Sequence, residues 1–270
     1  MSSSVFRGKV AVITGAGSGI GRALSIQLAE AGARVALSDV NEAGLAETIK
    51  QLPAGAEARA YKVDVSRRDA VFAHAADVKR DFGTAHLIIN NAGVTLLGTI
   101  ANASIEEFEW QIGINLWGVI YGTKAFLPML LAQDEGHIVN MSSVFGIVTI
   151  PCQSAYHVSK FGVRGFTECL SRELEGTQVK ATCVHPGGIR TEIGHSARKV
   201  AKAGPREERI EQLLTSALVT PPEECARGIL SGVVRGKRRI LVGSSARSLD
   251  WIQRLFPARY GAVLKLLKGY

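Results

Sequence analysis

The chain has 270 residues, 46% of them hydrophobic, with a mean hydropathy of +0.13. That is enough for one large core and excludes a disordered chain. Its charge of +8 lies beyond His195, where 15 Lys and Arg face 6 Asp and Glu; no binding motif or aromatic-interleaved basic stripe accompanies it, so nucleic acid is not an expected partner.

No uninterrupted apolar run reaches bilayer length, and Met1–Arg7 lacks the apolar core of a signal peptide, so a cytoplasmic location is expected. Cys152, Cys169, Cys183 and Cys225 have neither metal spacing nor a disulfide framework, which fits a reducing compartment. The six histidines show no ligand spacing, and no metal is expected.

Lys9–Thr14 is a β-branched run that reads as a buried strand. It enters the glycine-rich turn Thr14–Gly21, after which Leu24, Leu28 and Ala31 mark a helix. Strand, glycine turn and helix start make a phosphate site: glycines admit a pyrophosphate, and the helix N-terminus offers free N–H groups. A plain flexible turn is the alternative. The spacing is not G-x-G-x-x-G, because Ile20 takes the third glycine position; T-G-x-x-x-G-x-G fits at Thr14, Gly15, Gly19 and Gly21.

Arg34–Ser38 is the second strand, ending at Asp39. A carboxylate there can accept from both ribose hydroxyls of an adenosine and repel a 2′-phosphate. It can equally be a turn or N-cap residue before Asn41 and Glu42. Helices over Glu42–Leu52 and Arg67–Phe82 flank a third strand, Ala58–Val63, which runs into Asp64 and Val65. A fourth strand, Leu87–Ile89, runs into Asn90-Asn91-Ala92-Gly93, by itself a good turn.

Ser104 with Glu107 opens a long helical pattern to Leu131 as a capping box. Within it Asn115, between Gly113 and Gly118, is a poor helix-interior choice that needs a reason. His137–Met141 is the fifth strand and delivers Ser142 and Ser143.

The Ser154–Leu174 helix carries Tyr156 and Lys160 four residues apart, on one face. An ammonium there favours the phenolate, and Ser143 could fold back across an apolar loop beside the phenol. Taken alone, such a pair is more often an ordinary surface feature. Val179–Val184 is the sixth strand, Pro205–Leu214 a charged helix, and Arg239–Val242 a seventh strand. This alternation predicts an α/β fold, a doubly wound parallel sheet with helices on both faces.

Taken together, these motifs resemble the short-chain dehydrogenase/reductase family across Lys9–Val242. They are T-G-x-x-x-G-x-G, N-N-A-G, Tyr156-x-x-x-Lys160 with Ser143 thirteen residues before the tyrosine, and P-G-x-x-x-T at Pro186, Gly187 and Thr191. The resemblance implies a Rossmann-like domain over residues 1–244 with a substrate loop near 188–220. It places Gly15, Ser18, Gly19, Ile20 and Gly21 at the pyrophosphate, and Asp64 and Val65 at the adenine edge. Asn91, Ala92 and Gly93 pass along the cofactor, with Pro186, Gly187, Ile189 and Thr191 at the nicotinamide. It makes Tyr156 the acid/base, and Ser143 the donor to the substrate oxygen. Lys160 lowers the tyrosine pKa and holds the nicotinamide ribose, and Asn115 completes a water relay. Asp39, with no base at Ser18 or Val40, favours NAD over NADP.

The expected reaction is NAD-linked interconversion of a small-molecule secondary alcohol and its ketone. The alternatives are an NADP-linked carbonyl reductase or a nucleotide sensor without chemistry, though all four tetrad positions are filled. The loop residues Val144, Phe145, Ile147, Val148, Ile150 and Cys152 suggest a hydrophobic, steroid-, retinoid- or lipid-like substrate, or else are core. By resemblance, assembly is a homotetramer or homodimer through the Ser154–Leu174 helix. The extension 245–270 is basic and amphipathic, with Leu249, Ile252, Leu255 and Phe256 at helical spacing before Pro257, and Tyr260, Val263, Leu264 and Leu267 after it. It reads as an ordinary docked helix, a lid or subunit contact, or a peripheral membrane contact.

Overall fold

The computed structural model describes residues 5–192 and 197–268, except for the side chains of Leu267 and Lys268. Its centre is a seven-stranded parallel sheet in the order β3-β2-β1-β4-β6-β7-β9. The strands are β1 (Val10–Thr14), β2 (Arg34–Asp39), β3 (Ala58–Lys62), β4 (Leu87–Asn90), β6 (Gly136–Met141), β7 (Val179–Pro186) and β9 (Arg239–Val242). A separate two-residue pairing joins β5 (Leu96–Leu97) to β8 (Arg198–Lys199). The central strands are apolar runs because helices cover both faces.

On one face, α1 (Gly19–Glu30) and α8 (Pro222–Val234) pack Leu24, Leu28, Ile229 and Leu230 against Ile13, Leu37 and Ile89. On the other, α3 (Arg68–Phe82), α5 (Gly118–Ala132) and α6 (Ser154–Glu173) pack Val78, Phe126, Leu130 and Leu170 against Val10, Val12, Ile88 and Ile138. α2 (Glu42–Lys50) adds Leu45 to the first face. The strand order reverses between β1 and β4, which opens a crevice at their carboxyl ends.

α4 (Ile105–Ile112) opens on the expected capping box, with Ser104 Oγ accepting from Glu107 N–H and the Glu107 carboxylate accepting from Ser104 N–H. It continues through a π turn, Gly113–Trp117, into α5. The resulting helix, Ile105–Ala132, is long and apolar enough by length and composition to cross a membrane, although polar residues interrupt its apolar run. Its apolar side chains Val119, Phe126 and Leu130 are buried in this fold.

α7 (Pro205–Ser216) follows the short strand β8, where Arg198 stacks 3.9 Å over the Trp110 ring. Beyond β9 come α9 (Ala246–Leu255) and α10 (Tyr260–Lys268), broken at Pro257 as predicted. Leu249, Ile252 and Leu264 turn inward onto Ile147 and Val148. Leu255 and Phe256, expected on that same face, are instead exposed. The predicted contact of Leu267 lies outside the described residues. Asp250 ties the extension down by accepting from Arg239 Nη2 at 2.7 Å and Arg254 Nε at 3.0 Å.

Candidate active site

The crevice is built by stitching the ends of β1 and β4 together. Thr14 Oγ1 accepts from the N–H groups of Asn91 (2.9 Å) and Ala92 (3.0 Å), and Asn91 Nδ2 donates back to Thr14 O at 2.9 Å. Gly15, at φ +66°, lies where a Cβ would come 2.8 Å from Ala92 Cα. At Gly21 a Cβ would overlap the Gly15 carbonyl, so the first turn of α1 sits directly on the loop. Gly21 thus lies behind the crevice, while Gly15, Ser18, Gly19 and Ile20 line it.

The turn reading of Asp39 holds, and the residue also lines the cavity. Its carboxylate faces the cavity while accepting from Gly17 N–H and Asn41 N–H, each at 2.9 Å. The N-cap of α2 is Asn41, whose Oδ1 accepts from Gly44 N–H. The cavity has a volume of 540 Å³. Asp64 and Val65 form one wall, Asn91, Ala92 and Gly93 another, and Pro186, Gly187, Ile189 and Thr191 face them. Residues 193–196 of the predicted substrate loop lie outside the described residues.

Ser143, Tyr156 and Lys160 all line this cavity. Ser143 caps a short 3-10 turn, with Oγ accepting from Phe145 N–H, and also hydrogen-bonds Tyr156. Lys160 is buried, its Nζ 5.5 Å from the Tyr156 ring centroid and donating to Met141 O at 2.9 Å. The expected effect of this lysine on the phenol is overturned here. Burial pushes Tyr156 up to about 12, and only the Ser143 hydrogen bond pulls the other way. Burial also brings Lys160 down to about 8.

Asn115 sits in the π turn, fully buried and outside the cavity lining. Its Oδ1 accepts from Val94 N–H at 2.8 Å and its Nδ2 donates to Val94 O at 2.9 Å. Gly93 lies between Asn115 and Lys160: a Cβ placed on it would stand 3.4 Å from Asn115 Oδ1 and 3.6 Å from Lys160 Nζ.

Two contributors were not read from the sequence. His157 is buried and held neutral by that burial; Nδ1–H donates to Phe145 O at 3.0 Å and Nε2 accepts from Ile150 N–H at 3.0 Å. It therefore closes both ends of the loop that carries Phe145 edge-on against Tyr156. Its position on the buried side of the Tyr156 helix was the available signal. The second is Glu207 in α7, whose carboxylate accepts from the N–H groups of Thr99 and Gly204 and from Asn102 Nδ2. Those bonds hold it down at about 2. Only contacts distant in sequence reveal it.

Beyond the tyrosine the cavity turns apolar. Leu97, Ile150 and, from α7, Leu213 and Leu214 line it from one packed cluster, and Val148, Leu249 and Leu264 from another. Cys152, Cys183 and Cys225 are buried, in line with a filler role, whereas Cys169 is exposed. Among the described residues no group of His, Cys, Asp and Glu could hold a metal ion.

The family model for short chain dehydrogenases matches residues 9–202. The chain is also 45% identical over 260 residues to "Putative oxidoreductase SadH" of Mycobacterium tuberculosis, covering 95% of this chain and 94% of that one. The chain belongs to the short-chain dehydrogenase/reductase family. This dehydrogenase is 32% identical over 262 residues to human estradiol 17-beta-dehydrogenase 11, covering 96% of this chain and 82% of the relative. A short-chain dehydrogenase/reductase from Burkholderia phymatum, solved in complex with NAD, superposes with a TM-score of 0.87 at 32% identity, covering 93% of this chain and 95% of that one. The protein is an oxidoreductase, an NAD(P)-dependent enzyme acting on CH–OH groups.

Proposed function

We propose that the enzyme interconverts hydrophobic secondary alcohols and ketones with NAD. The observation that carries this is that a single cavity is lined by the glycine turn and Asp39, by Ser143, Tyr156 and Lys160, and by a set of apolar side chains that form its apolar chamber. The glycine cradle fits a dinucleotide: glycine at 15 and 21 lets the loop pack against Ala92 and the first turn of α1, and that turn opens into the cavity through Gly19 and Ile20. Asp39 would receive the adenosine ribose and disfavour a 2′-phosphate. When bound, NAD supplies the two-electron acceptor.

This chain's residues handle the proton and the orientation. Ser143 donates to the substrate oxygen as charge gathers there. Tyr156, protonated near neutral pH, gives its proton to a carbonyl oxygen; in the reverse direction it must first become phenolate. Lys160 would grip the nicotinamide ribose, and Asn115 would hold the relay. The apolar chamber and the name of the estradiol dehydrogenase relative both support a bulky, steroid- or lipid-like substrate. Exposed Val158 and Phe161 support self-assembly through α6, as a homodimer or homotetramer.

The test is a screen of secondary alcohols and ketones, read at nicotinamide absorbance with NAD(H) and NADP(H) side by side. Turnover of bulky apolar substrates with a higher kcat/KM for NAD is expected. Preference for NADP, or for small polar alcohols, would overturn the corresponding part.

A further inference from the structure

We propose that the outer face of α9 and α10 docks on an anionic lipid bilayer and turns the mouth of the apolar chamber toward it. Four observations converge on this. First, Ser245–Tyr270 carries five Lys and Arg and one acid, Asp250. That acid is buried and bonded to Arg239 and Arg254, so Arg254 is paired, and Arg247, Arg259 and Lys265 carry the outward charge.

Second, the same segment leaves large apolar side chains in solvent: Trp251 is 63% exposed, Leu255 65% and Leu266 88%. Third, the two kinds of residue are interleaved. Arg247, Trp251 and Leu255 succeed one another every fourth residue along one ridge of α9, with Phe256, Arg259 and Lys265 also exposed beyond it. An interfacial helix uses both components, apolar side chains entering the acyl boundary and bases meeting anionic headgroups. Fourth, the inward faces of these helices contribute Leu249 and Leu264 to the chamber wall. The helices that would touch lipid are therefore the ones that border the apolar chamber.

A second copy of the chain suits this face poorly. Two-fold pairing would set each basic ridge against its own equivalent with no free acid to separate them. A bilayer supplies the missing negative charge and the apolar cover together. The entry role rests on the proposal that the chamber takes the substrate; docking itself does not.

The experiment is co-sedimentation of the full chain with phosphatidylglycerol–phosphatidylcholine vesicles and with phosphatidylcholine vesicles. It compares wild type with Arg247→Glu/Arg259→Glu and with Trp251→Ser/Leu255→Ser, each first checked for an unchanged melting temperature and NAD affinity. Wild type is expected to sediment with the anionic vesicles at least about tenfold more strongly than with neutral ones, and less so in about 0.5 M salt. Each double variant should lose about tenfold in partition. Wild type left in the supernatant with both vesicle types would overturn the proposal, as would either folded variant sedimenting like wild type. Light scattering that shows a lipid-free oligomer broken by Trp251→Ser/Leu255→Ser would also overturn it, assigning the face to a second copy. Partition requires neither substrate nor turnover, so this result stands apart from the substrate screen.

Discussion

At the scale of single residues, the proton donor is set by burial. Tyr156→Phe should lower kcat by about 10²–10⁴-fold and leave NAD affinity within about twofold, because it removes one hydroxyl; steady-state kinetics beside a cofactor titration check both. Since the phenol sits at about 12, alcohol oxidation should accelerate with rising pH as phenolate accumulates, whereas ketone reduction should not gain. pH–rate profiles in the two directions would contradict this if they rose together. Asp39→Ala should move the NADP-to-NAD ratio of kcat/KM upward by about tenfold or more. It should also cost about 1–2 kcal/mol of stability, because the Gly17 and Asn41 N–H groups lose their acceptor. That Tyr156 and Lys160 share a helix face was legible from spacing, a local fact, whereas Ser143 was singled out by the thirteen-residue interval of the family it resembles. The direction of the tyrosine shift was not, because desolvation is a property of everything packed around it.

At the scale of elements, the α7 side of the chamber hangs on few bonds. Glu207→Ala removes the acceptor that joins α7 to Thr99 and Asn102, so the KM for a bulky substrate should rise several-fold while NAD affinity stays put. Equal losses in both would point to general unfolding of the domain. The strands and their helices were readable because a buried parallel strand is a continuous apolar run and its covering helices keep a 3.6 period. The extension was only half readable. Its helices and the Pro257 break were visible, yet Leu255 and Phe256 face solvent, because the inward face of α9 is chosen by Ile147 and Val148, far away in sequence.

For the whole molecule, three histidines, His74 and His185 buried and His137 half-buried, tie stability to acidity. Burial holds His74, His137 and His185 at about 4, below their usual value near 6.5. The unfolded chain therefore binds more protons across that interval. Their contribution is complete above about pH 6.5 and is lost as the pH falls toward 4, by about 2 kcal/mol for each at pH 5. The melting temperature should drop by at least several degrees between pH 7 and pH 5, and a flat profile by calorimetry would refute it. The alternation of elements made the doubly wound class legible. The apolar character of Ile105–Ala132 did not stand out, because its Gly and polar residues break the run that a linear reading looks for. The π turn inside that helix has one more consequence. It carries a surplus residue, and each residue advances a helix by roughly 100°. Deleting that residue would straighten the rod and also swing everything after it, so that Val119, Phe126 and Leu130 would leave the sheet. The asparagine clamped to Val94 and the domain's packing thus share a single phase, and neither can drift in evolution without the other being rebuilt.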